Sequence, residues 1–333
     1  MVENKIVGNR SELVFLYDVK NANPNGDPDE NKPRIDEEVG RNIVTDVRLK
    51  RTIRDYLERF KGQNIWMKEE IKDDGSRKTR EEKLEDKKVK SRKDAEKLLE
   101  EFIDLRLFGA TIAGKRGEGG KGENVFTWIG PVQFKFGKSL HSVESKLIRG
   151  TSVLPTKEQK AGGAFTEMWV LPYSLICFYG IINENGAKET GLTENDVKLL
   201  LDGIWNGTKN LITRSKVGQV PRFLLRVVYK ESNYHIGDLD QKIKLLDTEG
   251  KEIDKSGKEG KEIRYISEVK LDVTELLETL KKYKDKIEKV EYEVNEDVEF
   301  VVEGSVIKGS TIGEKLNEIA NVERLGLEMQ KTK

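Results

Sequence analysis

The stretch LVFLYDVKNANPNGDPDENKPRID, residues 13–36, decides how this chain is read, together with TDVRLKRTIRDYLERF at residues 45–60. Leu13, Phe15 and Tyr17 alternate with Val14 and Leu16, so both faces of the first segment are apolar. That pattern predicts a central strand covered on both sides. The strand runs into a loop where Asn21, Asn23 and Asn25 alternate with small or rigid residues. Gly26 and three prolines restrict the loop backbone. A helix follows, with Thr45 as its N-cap and Asp46 at its positive end. Val44, Val47, Ile53, Tyr56, Leu57 and Phe60 form its expected buried stripe. Arg48, Lys50, Arg51 and Arg54 give the same helix a basic side, with Arg51 and Lys50 each adjacent to Arg54 by helical spacing. A stiff, amide-bearing loop beside a basic helix suits gripping a phosphate–sugar backbone. It suits bond-breaking chemistry poorly.

The rest of the composition narrows the class. The chain has 333 residues, 36% of them charged, and a single cysteine, Cys177. One cysteine excludes a disulfide framework and argues against a structural zinc site. No signal-peptide pattern and no apolar run of membrane-spanning length occur, so a soluble, cytoplasmic protein without membrane contact is expected. The formal net charge is zero, but it is unevenly spread. Residues 105–230 hold 18 basic and 10 acidic side chains, net +8, while residues 231–333 hold 18 and 25, net −7. Nucleic-acid contact depends on local potential, so the zero total does not exclude it.

Periodicity orders the remaining segments. Residues 61–104 read as an inserted, mostly helical, highly charged segment docked through Leu98, Leu99, Phe102 and Ile103. A glycine-rich basic loop ends at residue 124. Residues 131–141 alternate as a strand, with Val132, Phe134 and Phe136 on one face and Gln133 and Lys135 on the other. Residues 142–167 carry no clear element, and TKEQKAGGAFT reads as the tip of a projecting hairpin. An apolar strand over 168–182 leads to a helix opened by a Thr193/Asp196 capping box. Val197, Leu200, Leu201, Ile204 and Trp205 are its inward residues, and a last strand spans 220–230. The order predicts an α+β fold on the ferredoxin-like βαββαβ plan shared by RNA-recognition modules. Beyond residue 240 a surface loop, an amphipathic helix over 272–283, a strand and a final helix are expected.

Several segments now carry a resemblance: Asn21 to Pro28, Pro33 to Asp36, Thr45 to Arg51, Leu107-Phe108-Gly109-Ala110 and Gly130 to Phe134. Together they resemble the backbone subunit of type I CRISPR Cascade complexes, within the RAMP superfamily. The type I-B form is the closest match, and the type I-C form is similar. The resemblance covers residues 10–60 and 105–230 well and the acidic tail less clearly. It implies a modified RNA-recognition fold with palm, fingers and thumb. The palm would fall at 1–60, 125–140 and 169–240, and the helical finger insert at 61–124. The thumb would be 141–168, followed by an acidic accessory segment at 241–333. It also implies a non-catalytic subunit without cofactor. Copies of it line one CRISPR RNA head to tail and hold guide segments for pairing with target DNA. A large subunit, an end-capping subunit and a processing endoribonuclease complete such a complex.

The expected RNA contacts are Asn21, Asn23, Asn25, Arg34, Arg48, Lys50, Arg51, Arg54, Gln133, Lys135, Arg149, Arg214 and Lys216. Asn21, Asn23 and Asn25 could instead serve turns, Phe134 and Phe136 are read as core rather than as stacking platforms, and Arg214 and Lys216 could cap a helix C-terminus. Lys157 and Lys160 add charge to the thumb, and Leu154 and Phe165 offer wedges between nucleotides. Gly109 to Lys115 imitates a P-loop, but Arg116 stands where a magnesium-binding hydroxyl belongs. Two alternatives remain open. Asp27, Asp29 and Asp36 could hold magnesium in an RNA-cleaving subunit like those of type III complexes. A free-standing RNA-binding regulator is the other.

Overall fold

The computed structural model describes residues 5–113, 125–151 and 165–327. The first apolar segment forms β1 (Ser11–Ala22), followed by the short hairpin β2 (Ile35–Asp36) and β3 (Arg41–Val44), and by helix α1 (Asp46–Lys61). The charged insert folds as α2 (Arg80–Asp86), α3 (Arg92–Glu101) and α4 (Ile103–Phe108), with the hairpin strands β4 (Gly109–Ala113) and β5 (Val125–Ile129). Next come β6 (Val132–Phe134), β7 (Gly137–Ser142), β8 (Lys146–Thr151) and the 18-residue β9 (Phe165–Ile182). Helices α5 (Glu184–Thr190) and α6 (Glu194–Lys209) lead into β10 (Gln219–Tyr229). The C-terminal part contains β11 (Lys244–Asp247), β12 (Val269–Asp272), α7 (Thr274–Lys282), β13 (Ile287–Val294), β14 (Glu299–Val302), β15 (Ser305–Lys308), α8 (Ile312–Asn317) and β16 (Asn321–Arg324).

One large sheet organises the chain, in the order β16-β13-β10-β1-β9-β7-β3-β2, with β6 and β8 also paired to β9. β1 lies at its centre, antiparallel to both β9 and β10, and its residues from Ser11 to Val19 are buried. The continuous apolar run thus reads as it should, because each face has its own core. On one face Leu13, Phe15, Tyr17 and Val19 meet α1 and α6 through Ile53, Leu57, Val197 and Ile204. On the other, Val14 and Leu16 share a core with Tyr173, Leu175, Leu271, Leu280 and Phe300, the last three from the C-terminal part. A third, smaller core of Trp66, Leu84, Leu98, Leu99, Phe102, Leu105 and Trp128 holds the insert together.

The C-terminal part is continuous with this architecture: β13 pairs with β10, and β16 with β13, so the large sheet is completed from residues beyond 286. The stretch 251–263, expected as a surface loop, instead buries Ile253 and Ile263. It is tied down by His141, whose Nδ1 lies 2.8 Å from both the Ser142 and Gly260 carbonyls. The Leu175 N–H donates to His141 Nε2, so Nδ1 carries the proton. The segment 142–167, whose sequence pattern shows no clear element, contains β8 paired along the first third of β9.

Two helix and strand details differ from expectation. Leu49, Thr52, Ile53, Tyr56 and Leu57 are the buried residues of α1, whereas Val47 and Phe60 are 65% and 52% exposed. The stripe is set by α6, where Gly203 and Gly207 let Ile53 and Tyr56 approach its backbone closely. Phe60 stacks on the Tyr56 ring at the rim. Phe134 is buried in the helix-side core as expected, but Phe136 is 55% exposed, because the strand breaks between β6 and β7 and reverses its facing.

Charge is also matched inside the chain. Arg222 pairs with Asp18 and Asp297, Arg226 with Glu291, and Lys135 with Asp238. In each set a cation of the basic middle meets a carboxylate of the acidic C-terminal third. The +8 and −7 split is therefore partly an internal complementarity.

Candidate nucleic-acid interface

The Asn loop and the start of α1 are built as one unit. Asn25 Oδ1 accepts from the Thr45 N–H and hydroxyl, both at 2.9 Å, and Thr45 in turn caps α1 through the Arg48 N–H. Asn42 Nδ2 donates to the Arg34 carbonyl, and the Arg34 N–H to that of Asn25. Asn23 is 1% exposed, and its Nδ2 donates to the Asn31 carbonyl at 2.7 Å. Asn21 is exposed and holds φ at 48°, a left-handed backbone that Asn tolerates better than most residues. Two of the three asparagines thus brace the loop itself, and the third makes its turn.

The cations at this end of the sheet are of two kinds. Some are engaged internally. Arg54 donates to the buried Asp104 at 2.8 Å, and Asp104 also receives the Trp66 and Met67 N–H groups, so this pair clamps the insert to α1. Lys50 bridges Asp46 and Gln133 Oε1, and Gln133 Nε2 donates to the Gly130 carbonyl. Lys135 is held by Asp238 on the opposite face. Arg51 is exposed but pairs with Asp55, and Arg149, on β8, pairs with Glu167.

Others have no carboxylate partner among the described residues. Lys216 Nζ donates to the Asn23 carbonyl at 2.6 Å, and among the described residues no carboxylate lies within ion-pairing distance of it. Burial, followed by repulsion from Arg48, pulls its pKa down to about 8. Arg48 bonds the Thr52 hydroxyl, while its Nε is buried without a partner among the described residues, and burial lowers its pKa too. Arg34 Nε is likewise buried and unpartnered, as is the acceptor Asn23 Oδ1. Arg214 is exposed and reaches the Thr166 hydroxyl near the start of β9. Lys216, Arg48, Asn23 and the positive end of α1 therefore converge into a cationic recess with donors and an acceptor to spare.

Two of the loop's three aspartates, Asp27 and Asp36, have local duties. Asp27 accepts from the Asp29 and Glu30 N–H groups, which hold its carboxyl below the usual range, and Asp36 accepts from the Glu38 N–H. Among the described residues no group of three or more His, Cys, Asp or Glu is placed to hold a metal ion. Leu154, Lys157, Lys160, the side chain of Phe165 and the loop 114–124 lie outside the described residues. Sequence reasoning passed over Lys32, whose ammonium sits 4.8 Å from the Trp169 ring at the base of the β8–β9 hairpin. No local signal links positions so far apart.

The fold defines a mixed α+β protein with a cationic cluster at one end of its main sheet. The chain belongs to the family described as CRISPR-associated protein Cas7, which it matches over residues 9–274. It is 36% identical over 303 residues to the CRISPR-associated protein Cas7 of Haloferax volcanii, spanning 84% of this chain and 85% of that one. Among solved structures it is similar to a chain of a pre-nicking CRISPR RNA-guided surveillance complex, with TM-score 0.50 and 12% identity over 93% of this chain and all of that one. A chain of another CRISPR RNA-guided surveillance complex gives TM-score 0.47 at 13% identity, over 86% and 88% of the two chains. Among the described residues, no helix is long and apolar enough to cross a membrane.

Proposed function

We propose that this chain is a non-catalytic, RNA-binding scaffold of a Cascade-type surveillance complex. Several copies line a CRISPR RNA and present its guide segments to invading DNA, alongside a large subunit, an end-capping subunit and a processing endoribonuclease in the cytoplasm. The observation that carries this reading is the Lys216–Arg48 recess. Two cations kept partly out of water beside each other, neither in an ion pair among the described residues and with only Asp55 acting on Arg48 from farther off, are costly until an anion arrives. A backbone phosphate supplies that charge, and a ribose 2′-hydroxyl is a fitting donor for Asn23 Oδ1. Arg34, Arg51, Arg149 and Arg214 extend the same track, with Asn21 at its edge.

The strand order β10-β1-β9 with β6 and β7 beyond it, and α1 and α6 on one face, is the arrangement a ferredoxin-like βαββαβ unit produces. We take this unit as the palm, residues 61–124 as the fingers, 141–168 as the thumb and 241–333 as an accessory segment that covers the palm's other face. The engaged states of Asp27 and Asp36 favour the scaffold over the RNA-cleaving alternative.

Two measurements test the proposal. Complex mass should rise stepwise with guide length, and a mass independent of length sinks the filament. Replacing Lys216 or Arg48 with Ala should weaken binding to every single-stranded RNA sequence about equally and reduce the salt slope by about 0.7 for each phosphate no longer neutralised. Regular, magnesium-dependent RNA fragments that vanish in Asp36→Ala would establish cleavage instead.

A further inference from the structure

The sheet face opposite α1 and α6 is the face on which RNA-recognition modules ordinarily receive bases. Here the C-terminal part covers it, through Leu245, Leu271, Leu276 and Phe300. One corner stays open. A cleft of about 410 Å³ lies over β7 and β9, lined by Arg41, Lys138, Lys255, Phe136 and Asp240 among others. Its floor is Leu140 and Cys177, the residue paired directly with Lys138.

The lining has the chemistry of a nucleotide site. Arg41 donates through Nε to the Ser139 carbonyl at 2.5 Å, and among the described residues neither it, Lys138 nor Lys255 has a carboxylate within ion-pairing distance. Burial lowers the pKa of Arg41, against the opposing pull of Asp240 and Asp36 from beyond ion-pairing distance. Phe136 brings an aromatic ring, 55% exposed, to the same cleft. Among the described residues Asp240 Oδ1 is buried without a hydrogen-bond donor, although it is ion-paired at 3.9 Å with Lys135 Nζ, which also lines the cleft. A cationic rim, an open ring and an unfilled acceptor suit phosphate, base and a hydroxyl or amine donor in turn. An acidic peptide would satisfy the rim but meet Asp240 with like charge.

We propose that this cleft holds a nucleotide of a single-stranded nucleic acid, stacked on Phe136 with its phosphates on Arg41, Lys138 and Lys255, at a second site separated from the Lys216 recess by the sheet. The inference rests on the reading of this chain as a nucleic-acid binder, but uses different residues.

The test is binding of an unstructured, fluorescently labelled single-stranded RNA, and of DNA of the same sequence, to the full-length chain across a salt series. Phe136→Ala should weaken affinity about five-fold or more, by the usual contribution of one stacked base. Lys138→Glu and Lys255→Glu should each lower the salt slope by about 0.7. Both effects should add to those of Lys216→Ala, because the sites share no partner. Photocrosslinking of 4-thiouridine RNA to the unmodified chain should label the Phe136 peptide, a readout independent of how any variant folds. Unchanged affinity and slope in the cleft variants, with Lys216→Ala still weakened, would overturn this site and leave the proposed function standing. If Lys216→Ala and Arg48→Ala were also without effect, the nucleic-acid reading itself would fall. Loss of self-association in Lys138→Glu with RNA binding intact would make the cleft a seat for another copy of the chain and would overturn the proposal.

Discussion

Lys216 illustrates how a single side chain can set the chemistry of the recess. With its pKa lowered to about 8 in the folded chain, against an ordinary lysine value near 10.4, it gives up its proton before the unfolded chain does. Above about pH 8 the empty chain is therefore relieved of a cost, and its stability rises towards pH 10. A phosphate in the recess would hold the proton on. RNA affinity should accordingly fall as pH rises past about 8, with proton uptake on binding measurable in buffers of different ionisation enthalpy; Lys216→Arg should flatten that dependence. His141 works in the opposite range. Burial drops its pKa to about 4, so the folded chain keeps it neutral while the unfolded chain protonates near 6.5. Its contribution is whole above pH 6.5 and is lost as pH falls towards 4, on the order of 3 kcal/mol. Urea midpoints measured over that window should decline in the native chain and decline less in His141→Gln. The asparagine loop was legible in sequence as a rigid feature. Its internal bracing was not, because Asn25 reaches Thr45 and Asn23 reaches Asn31 only once the hairpin is folded.

At the scale of elements, the strands and helices whose neighbours are local were readable, and those defined by distant partners were not. Thr193 and Asp196 form the expected capping box, and the inward residues of α6 are all buried, since both patterns are written within one helix. The stripe of α1 differs at its ends because α6, far along the chain, supplies the glycines that fix its contact line. β8 is invisible to periodicity because its residues are largely polar or small and show no apolar alternation, although its partner β9 is the next strand of the same hairpin. The join between α1 and the insert makes a clear prediction. Asp104→Ala would strand the Arg54 guanidinium and two backbone N–H groups at once, and should cost about 3–5 kcal/mol in urea unfolding. Arg54→Ala should cost less, because the two N–H groups still satisfy the carboxylate. Equal losses would show that the guanidinium, rather than the backbone pair, carries the clamp.

For the whole molecule, the C-terminal third is where sequence reading fell furthest short. Its composition says acidic surface, yet it buries Leu271, Leu280, Val290 and Phe300 against the main sheet and supplies two strands of it. Averages over a segment cannot show which of its residues alternate inward. Truncation after residue 240 should therefore leave a chain that aggregates, with the edge of β10 and the apolar face of β1 and β9 open. A monomeric, cooperatively folding truncation on size-exclusion and thermal unfolding would show the accessory segment to be dispensable.

The length of β9 has a mechanical meaning. It begins in the hairpin with β8 and then runs antiparallel along β1 from Ala22 to Ser11, so the projecting hairpin and the innermost strand pair are one continuous piece of backbone. Tension applied at the hairpin along β9 would load the β1–β9 ladder in shear, with many hydrogen bonds sharing the force together, rather than unzipping them singly. A projection anchored in this way behaves as a cantilever whose root is the core, able to lean on a bound strand without yielding at its base.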